Sequence, residues 1–100
     1  MKIFEKITVT IPYEKEEFFF TQLITVRRKF YSKVCESYHI VKDLVASNNK
    51  SVYIHFLLFF RSMDMYRLYL DIPERKILAE ELNRFCGPVG EKVVVYKVEN

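Results

Sequence analysis

The sequence predicts an α+β fold, a mostly antiparallel sheet of four or five strands with helices on one face, and three stretches carry that prediction. Ser51–Arg61 alternates without interruption, placing Val52, Ile54, Phe56, Leu58 and Phe60 on one side and Tyr53, His55, Leu57 and Phe59 on the other. Lys2–Ile11 alternates in the same way, with Ile3, Ile7, Val9 and Ile11 set against Phe4, Lys6, Thr8 and Thr10. The stretch after Pro73 carries Ile77, Leu78, Leu82 and Phe85 at helical spacing and is followed by Gly87 and Pro88, which stop a helix. With 100 residues, half of them hydrophobic, the chain is read as one domain, 1–100, with a real core.

In order, Pro12 ends the first strand, and Glu14, Glu16 and Glu17 load the start of a helix with negative charge. Arg27, Arg28, Lys29 and Lys33 follow toward its other end, the arrangement a helix dipole favours. Leu23, Val26, Phe30 and Val34 form its expected apolar stripe. Glu36–Ser47 suits either a continued helix or a strand, with a break near Cys35 to Ser37 as the alternative to one long helix. Asn48-Asn49-Lys50 is turn chemistry. Met65–Ile72 alternates enough to read as a hairpin partner of Ser51–Arg61, and Lys92–Val98 closes as a strand. This order is a ferredoxin-like split βαβ arrangement. If the helices cover Ile7, Val9, Ile54, Phe56 and Leu58, the open face gathers Phe4, Lys6, Thr8, Thr10, Tyr53, His55, Leu57 and Phe59.

Composition excludes several classes. Sixteen basic against 13 acidic side chains give a net charge of +3, too little by itself to mark a nucleic-acid protein. Two glycines leave no room for a Gly-rich phosphate loop, and GxSxG, HExxH and CxxC are absent. Cys35 and Cys86 are expected to be free, apolar thiols. MKIFEKI turns polar too early for a secretion signal, and no apolar run is long enough for a membrane span, so a soluble intracellular protein is expected.

Order and spacing together carry a resemblance. ITVTIPY (Ile7–Tyr13), VKDL (Val41–Leu44), YIHFLLFF (Tyr53–Phe60), MYRLYLDI (Met65–Ile72) and VVYKVEN (Val94–Asn100) make the chain similar to the endonuclease (HUH-type) domain of rolling-circle replication initiators from small single-stranded DNA viruses. The resemblance implies that Thr10 to Tyr13 stand for the first motif and that Asp43 and His55 lie where metal ligands would. Tyr53, however, stands where the first ligand histidine would, and phenol is a poor substitute on a divalent cation. No Tyr-x-x-Lys occurs, and the chain ends at Asn100 before a nucleophile helix. The implied protein is a nuclease-inactive relative, with a metal-dependent DNA-nicking endonuclease as the alternative that leaves its enzyme status open; a divalent cofactor belongs only to that nuclease alternative.

The expected function is therefore nucleic-acid binding, to single strands or duplex. Lys6, Thr8, Thr10, Tyr53, His55 and Phe59 would form a stacking face, and Arg27, Arg28, Lys29 and Lys33 a phosphate-contacting helix. The alternative is a small homodimeric viral or accessory regulatory protein acting through protein–protein contacts, since Phe4, Leu57 and Phe59 together make an apolar patch that favours self-association.

Overall fold

The computed structural model describes residues 1–87 and 90–98. Four strands, β1 (Lys2–Pro12), β2 (Ser37–Asp43), β3 (Ser51–Phe60) and β4 (Gly90–Tyr96), form one sheet in the order β2-β3-β1-β4, every neighbouring pair antiparallel. β1 and β2 both run against β3, and β3 and β4 both run against β1. Each of those pairs is thus bridged by helices, which makes two split βαβ units and the ferredoxin-like fold. The helices are a single turn α1 (Glu16–Phe18), α2 (Ile24–Val34), α3 (Met63–Leu70) and α4 (Pro73–Phe85).

The strict period of β1 and β3 decides which face is buried. Val52, Ile54, Phe56, Leu58 and Phe60 are fully buried beneath the helices, as are Ile3, Val9 and Ile11, while the residues between them are half-buried on the other face. Phe19, Ile24, Phe30, Tyr31, Tyr69, Leu78 and Leu82 close the core from the helix side.

Two elements differ from the sequence expectation, and one that it leaves open is resolved. The chain between Tyr13 and α2 is a short 3₁₀ turn, the α1 turn and a π turn at Phe19–Leu23. The buried stripe then runs through Ile24, Arg27, Phe30 and Tyr31 and leaves Val26 exposed. An arginine with internal partners has taken the place that hydrophobicity assigned to Val26. The ambiguous Glu36–Ser47 contains strand β2 at Ser37–Asp43 followed by a turn, the helix having ended at Val34. Met65–Ile72 is not a hairpin strand: Ser62 caps a helix there by accepting from the Met65 backbone N–H at 3.2 Å, and Tyr66 and Tyr69, three residues apart, share the inward face. The sheet consequently has four strands, not five. α4 ends at Phe85 as its pattern requires; Pro88, expected to stop it, lies outside the described residues.

Candidate functional site

Each face of the sheet carries a polar cluster. On the open face, the register sets Thr8 opposite His55 on β3, and Asp43 ends the adjacent β2. Asp43 Oδ2 lies 2.9 Å from His55 Nε2, and His55 Nδ1 lies 2.9 Å from Thr8 Oγ1. The other oxygen of Asp43 accepts from the Val45 and Ala46 backbone N–H groups, each at 3.0 Å, which ties the carboxylate into the turn after β2. These bonds, the one to His55 first, hold the Asp43 carboxyl below its ordinary pKa. Beside this chain, Phe4 and Phe59 pack with ring centroids 4.8 Å apart, and Phe59 meets His39 edge-on.

On the covered face, Glu5 occupies an inward position of β1 between Ile3 and Ile7 and is 2% exposed. Tyr66 Oη donates to Glu5 Oε2 at 2.7 Å, and Tyr69 Oη reaches Oε1 at 3.5 Å. Burial raises the Glu5 carboxyl above its ordinary pKa, the Tyr66 hydrogen bond opposing it and the charge of Glu91 adding to it. Burial also raises the phenols of Tyr31, Tyr66 and Tyr69, which stay protonated at neutral pH. The Arg75 guanidinium lies over the Tyr69 ring, 5.4 Å from its centroid.

Glu5, Tyr31, Tyr69 and Arg75 line a cavity of about 50 Å³ between β1 and the helices α2 and α4, with Phe30, Leu78 and Leu82 as its apolar wall. Arg27 forms part of the lining and locks two helices together. Its guanidinium donates to the Leu23 carbonyl at 3.0 Å, to the Leu78 carbonyl at 2.8 Å and to Glu81 Oε1 at 3.2 Å, so α2 is pinned to α4 beside the cavity. The cavity thus brings an acid, phenols and arginines from β1, α2, α3 and α4 to one point.

The residues expected to bind nucleic acid are split between layers. Lys6, Thr8, Thr10, Tyr53, His55 and Phe59 share the open sheet face as expected, but α2 lies across the opposite face. Arg27 is 1% exposed and turned inward; Arg28, Lys29 and Lys33 stay on the outer surface of α2. Stacking rings and phosphate-binding cations therefore cannot act on one strand together. Asp43 and His55, the proposed metal pair, are adjacent but bonded to each other, and among the described residues no group of three His, Cys, Asp or Glu side chains could hold a metal ion. Cys35 and Cys86 are free and half-buried, their thiols raised by burial to about 12 and about 11.

Sequence reasoning missed Glu5, Tyr31, Tyr66, Tyr69 and Arg75. Glu5 did leave a signal: an acid at a core-phase position of an apolar strand needs partners, and two of them are tyrosines at helical spacing on α3.

No protein-family model matches the chain, and no curated protein matches it. Solved structures do. A candidate antibiotic biosynthesis monooxygenase from Deinococcus radiodurans is similar with a TM-score of 0.77 at 10% identity, covering 98% of this chain and 95% of that one. SnoaB, a cofactor-independent oxygenase from Streptomyces nogalater, gives 0.65 at 11% identity over 98% and 95%. A dimeric ferredoxin-like protein from an uncultured marine organism gives 0.67 at 15% identity over 99% and 92%. At such identities the likeness establishes the ferredoxin-like α+β fold. It also overturns the viral resemblance: two of these neighbours are described as a monooxygenase and an oxygenase and the third as a dimeric ferredoxin-like protein, and none is a replication initiator. The expected DNA-binding role and its viral setting fall with it, the metal-dependent nuclease has no support, and the protein-interaction alternative is no better supported. Dimeric neighbours are consistent with self-association, and no helix among the described residues is long and apolar enough to cross a membrane.

Proposed function

We propose that this chain binds a small molecule in the cavity between β1, α2 and α4, and that it does so as a homodimer joined through its open sheet face. The observation that carries the binding reading is Glu5, a carboxyl held in the core with a raised pKa, fixed by Tyr66 and facing space rather than packed solid. An acid placed only for structure is normally closed off by its partners. Similarity in fold to monooxygenase-like proteins agrees with small-molecule binding. The dimer reading rests on Phe4, Leu57 and Phe59, which form a half-buried apolar centre that a second copy would cover. Free thiols at Cys35 and Cys86 suit a reducing intracellular setting.

Ala79 lines the cavity on α4, and Ala79→Phe fills it. In a thermal-shift screen of small neutral and charged organic molecules, hits on the parent should vanish in Ala79→Phe while the sheet-face dimer survives. Hits that persist in the filled variant would place the binding site elsewhere.

Catalysis is a second reading, favoured by the same residue. A carboxyl whose pKa burial raises is a stronger base than an exposed one and is placed to take a proton from a molecule in the cavity it lines. Oxygen uptake on adding a hit, lost in Glu5→Gln while binding is retained, would support turnover.

A further inference from the structure

We infer that β4 is a second interface, at which two copies of this chain pair their outer strands antiparallel about Val94 and continue one sheet into the other. This surface is separate from the open sheet face proposed above. β4 is an edge of the sheet, with β1 on one side and no strand on the other among the described residues. Its register sets Val93 opposite Glu5 and Val95 opposite Ile3, so both valines lie on the side of the sheet that carries the helices. Yet Val93 is 45% exposed and Val95 47%, because the helix layer stops short of them. The opposite edge is finished differently. There α2 rests on β2, Tyr38 and Ile40 pack against the core, and Lys42 Nζ pairs with Glu16 Oε1 at 2.6 Å. An edge strand with an unpaired backbone and apolar side chains on an uncovered face is a template for another strand.

The order of residues along β4 says which strand fits. Around a two-fold axis through the sheet at Val94, Val93 lies opposite Val95 of the second copy, Lys92 opposite its Tyr96, and Glu91 opposite its Lys97, the residue just past the strand's end. The axis repeats each pair, so the exposed valines of both copies meet on the helix side, flanked at either end by an acid facing a base. Among the described residues neither Glu91 nor Lys97 has an ion-pair partner within its own chain. Lysine on an edge strand keeps other strands away, but in this register Lys92 gains the Tyr96 ring to lie along. No neighbouring two-fold register does as well. Centring on Val93 puts Glu91 against Val95 and Lys92 against Val94, centring on Val95 puts Lys97 against Val93, and centring on Lys92 sets that lysine against itself. A second copy therefore answers the charges of β4, which a strand of unrelated sequence would do only by chance.

Pairing at the open face and at β4 together makes a tetramer. The β4 contact offers valines and an ion pair where the open face offers Phe4, Leu57 and Phe59, so it forms at the higher concentration. Sedimentation of the full chain from micromolar to millimolar concentration should therefore show a dimer that passes to a tetramer. Glu91→Lys and Lys97→Glu each turn the attractive pairs across the axis into repulsive ones and should weaken that second step about tenfold. The double variant restores opposite charges in the reverse order and should regain the parent's affinity. Hydrogen exchange at the β4 amides should slow as the tetramer forms, and melting curves check that every variant is folded. A parent that goes no further than a dimer lost in Phe59→Ala would overturn the β4 interface and leave the open-face dimer standing. One association step, weakened by Lys97→Glu and untouched by Phe59→Ala, would support β4 and overturn the open face instead. A tetramer indifferent to both reversals, or a double variant no tighter than the single ones, would overturn the pairing about Val94, and a chain that stays monomeric throughout would overturn both interfaces.

Discussion

The two faces of one sheet carry acids that the protein treats in opposite ways. Glu5 and Asp43 are both carboxyls bonded to a ring-bearing partner, Glu5 to Tyr66 at 2.7 Å and Asp43 to His55 at 2.9 Å. Under the helices, desolvation outweighs the hydrogen bonds and pushes Glu5 up; on the open face, an imidazole and two backbone N–H groups prevail and push Asp43 down. Which side of a strand a residue lies on, a matter of odd or even position, thus sets both its protonation and its use. On the reading proposed above, the covered side offers a binding cavity and the open side the face for a second copy.

The comparison breaks most sharply at two phenylalanines of β3. Phe56 is fully buried beneath the helices and stacks on Phe19 with centroids 6.1 Å apart, whereas Phe59 sits half-buried on Phe4. Phe56→Ala should cost about 3–5 kcal/mol of unfolding free energy in a denaturant melt. Phe59→Ala should leave the fold largely intact and lower the dimer fraction in sedimentation. An unchanged dimer in Phe59→Ala would remove the open face from the interface, and a collapse of both variants would mean the faces are energetically alike.

A second contrast separates cations that follow one another in sequence. Arg27 is buried with three acceptors and Arg28 is exposed beside it. Arg27→Ala leaves the Leu78 carbonyl without its charged donor, a loss of about 1.5–3 kcal/mol for a hydrogen bond to a charged group, while Arg28→Ala should stay within about 0.5 kcal/mol. Urea melts of the two variants measure this directly. Comparable small losses would mean that the clamp between α2 and α4 is not a structural tie.

These contrasts also mark where the sequence could be read and where it could not. Period-2 alternation in β1 and β3 announces a sheet with two occupied faces, because side-chain direction in a strand needs only local information. Met63–Leu70 is two turns long, and its apolar residues satisfy the strand period nearly as well as the helix period; Ser62 as a cap and Asp64 in the first turn were the better guides. Arg27 was unreadable for another reason, since two of its three acceptors, the Leu78 carbonyl and Glu81, lie more than fifty positions away. The cavity draws Glu5, Tyr31, Tyr69 and Arg75 from four elements, and no spacing within the chain encodes that meeting.

Replacing Glu5 tests the covered face against pH. Its carboxyl is raised in the folded protein, so folding favours the protonated form, and the unfolded chain ionises first as pH rises past its ordinary value of 4.5. Stability should therefore fall between that pH and the raised folded-state pKa. Glu5→Gln preserves an acceptor for the Tyr66 hydroxyl but cannot ionise, so its melting temperature should be flatter across the interval. A parent curve that is equally flat would show that Glu5 is not strained by burial.

The smallest expected effect lies on the open face, and its sign must be reversed. The Asp43 carboxyl is lowered in the folded protein from an ordinary value of 3.8, so its contribution is complete above that value and is lost as pH falls through the folded-state pKa. Asp43 is partly solvated, and water competes for its bonds, so the slope should be shallow. Asp43→Asn keeps one oxygen for the Val45 and Ala46 N–H groups and loses the charge that holds His55. It should remove the acid-side slope without touching the fall with rising pH attributed to Glu5, and the double variant with Glu5→Gln should lose both as a sum, because the two carboxyls stand on opposite faces with no shared partner. Measuring melting temperature against pH for the parent, both single variants and the double variant checks all four expectations at once. Non-additivity would show that the sheet transmits charge from one face to the other, and the separation of roles between the faces would then have to be abandoned.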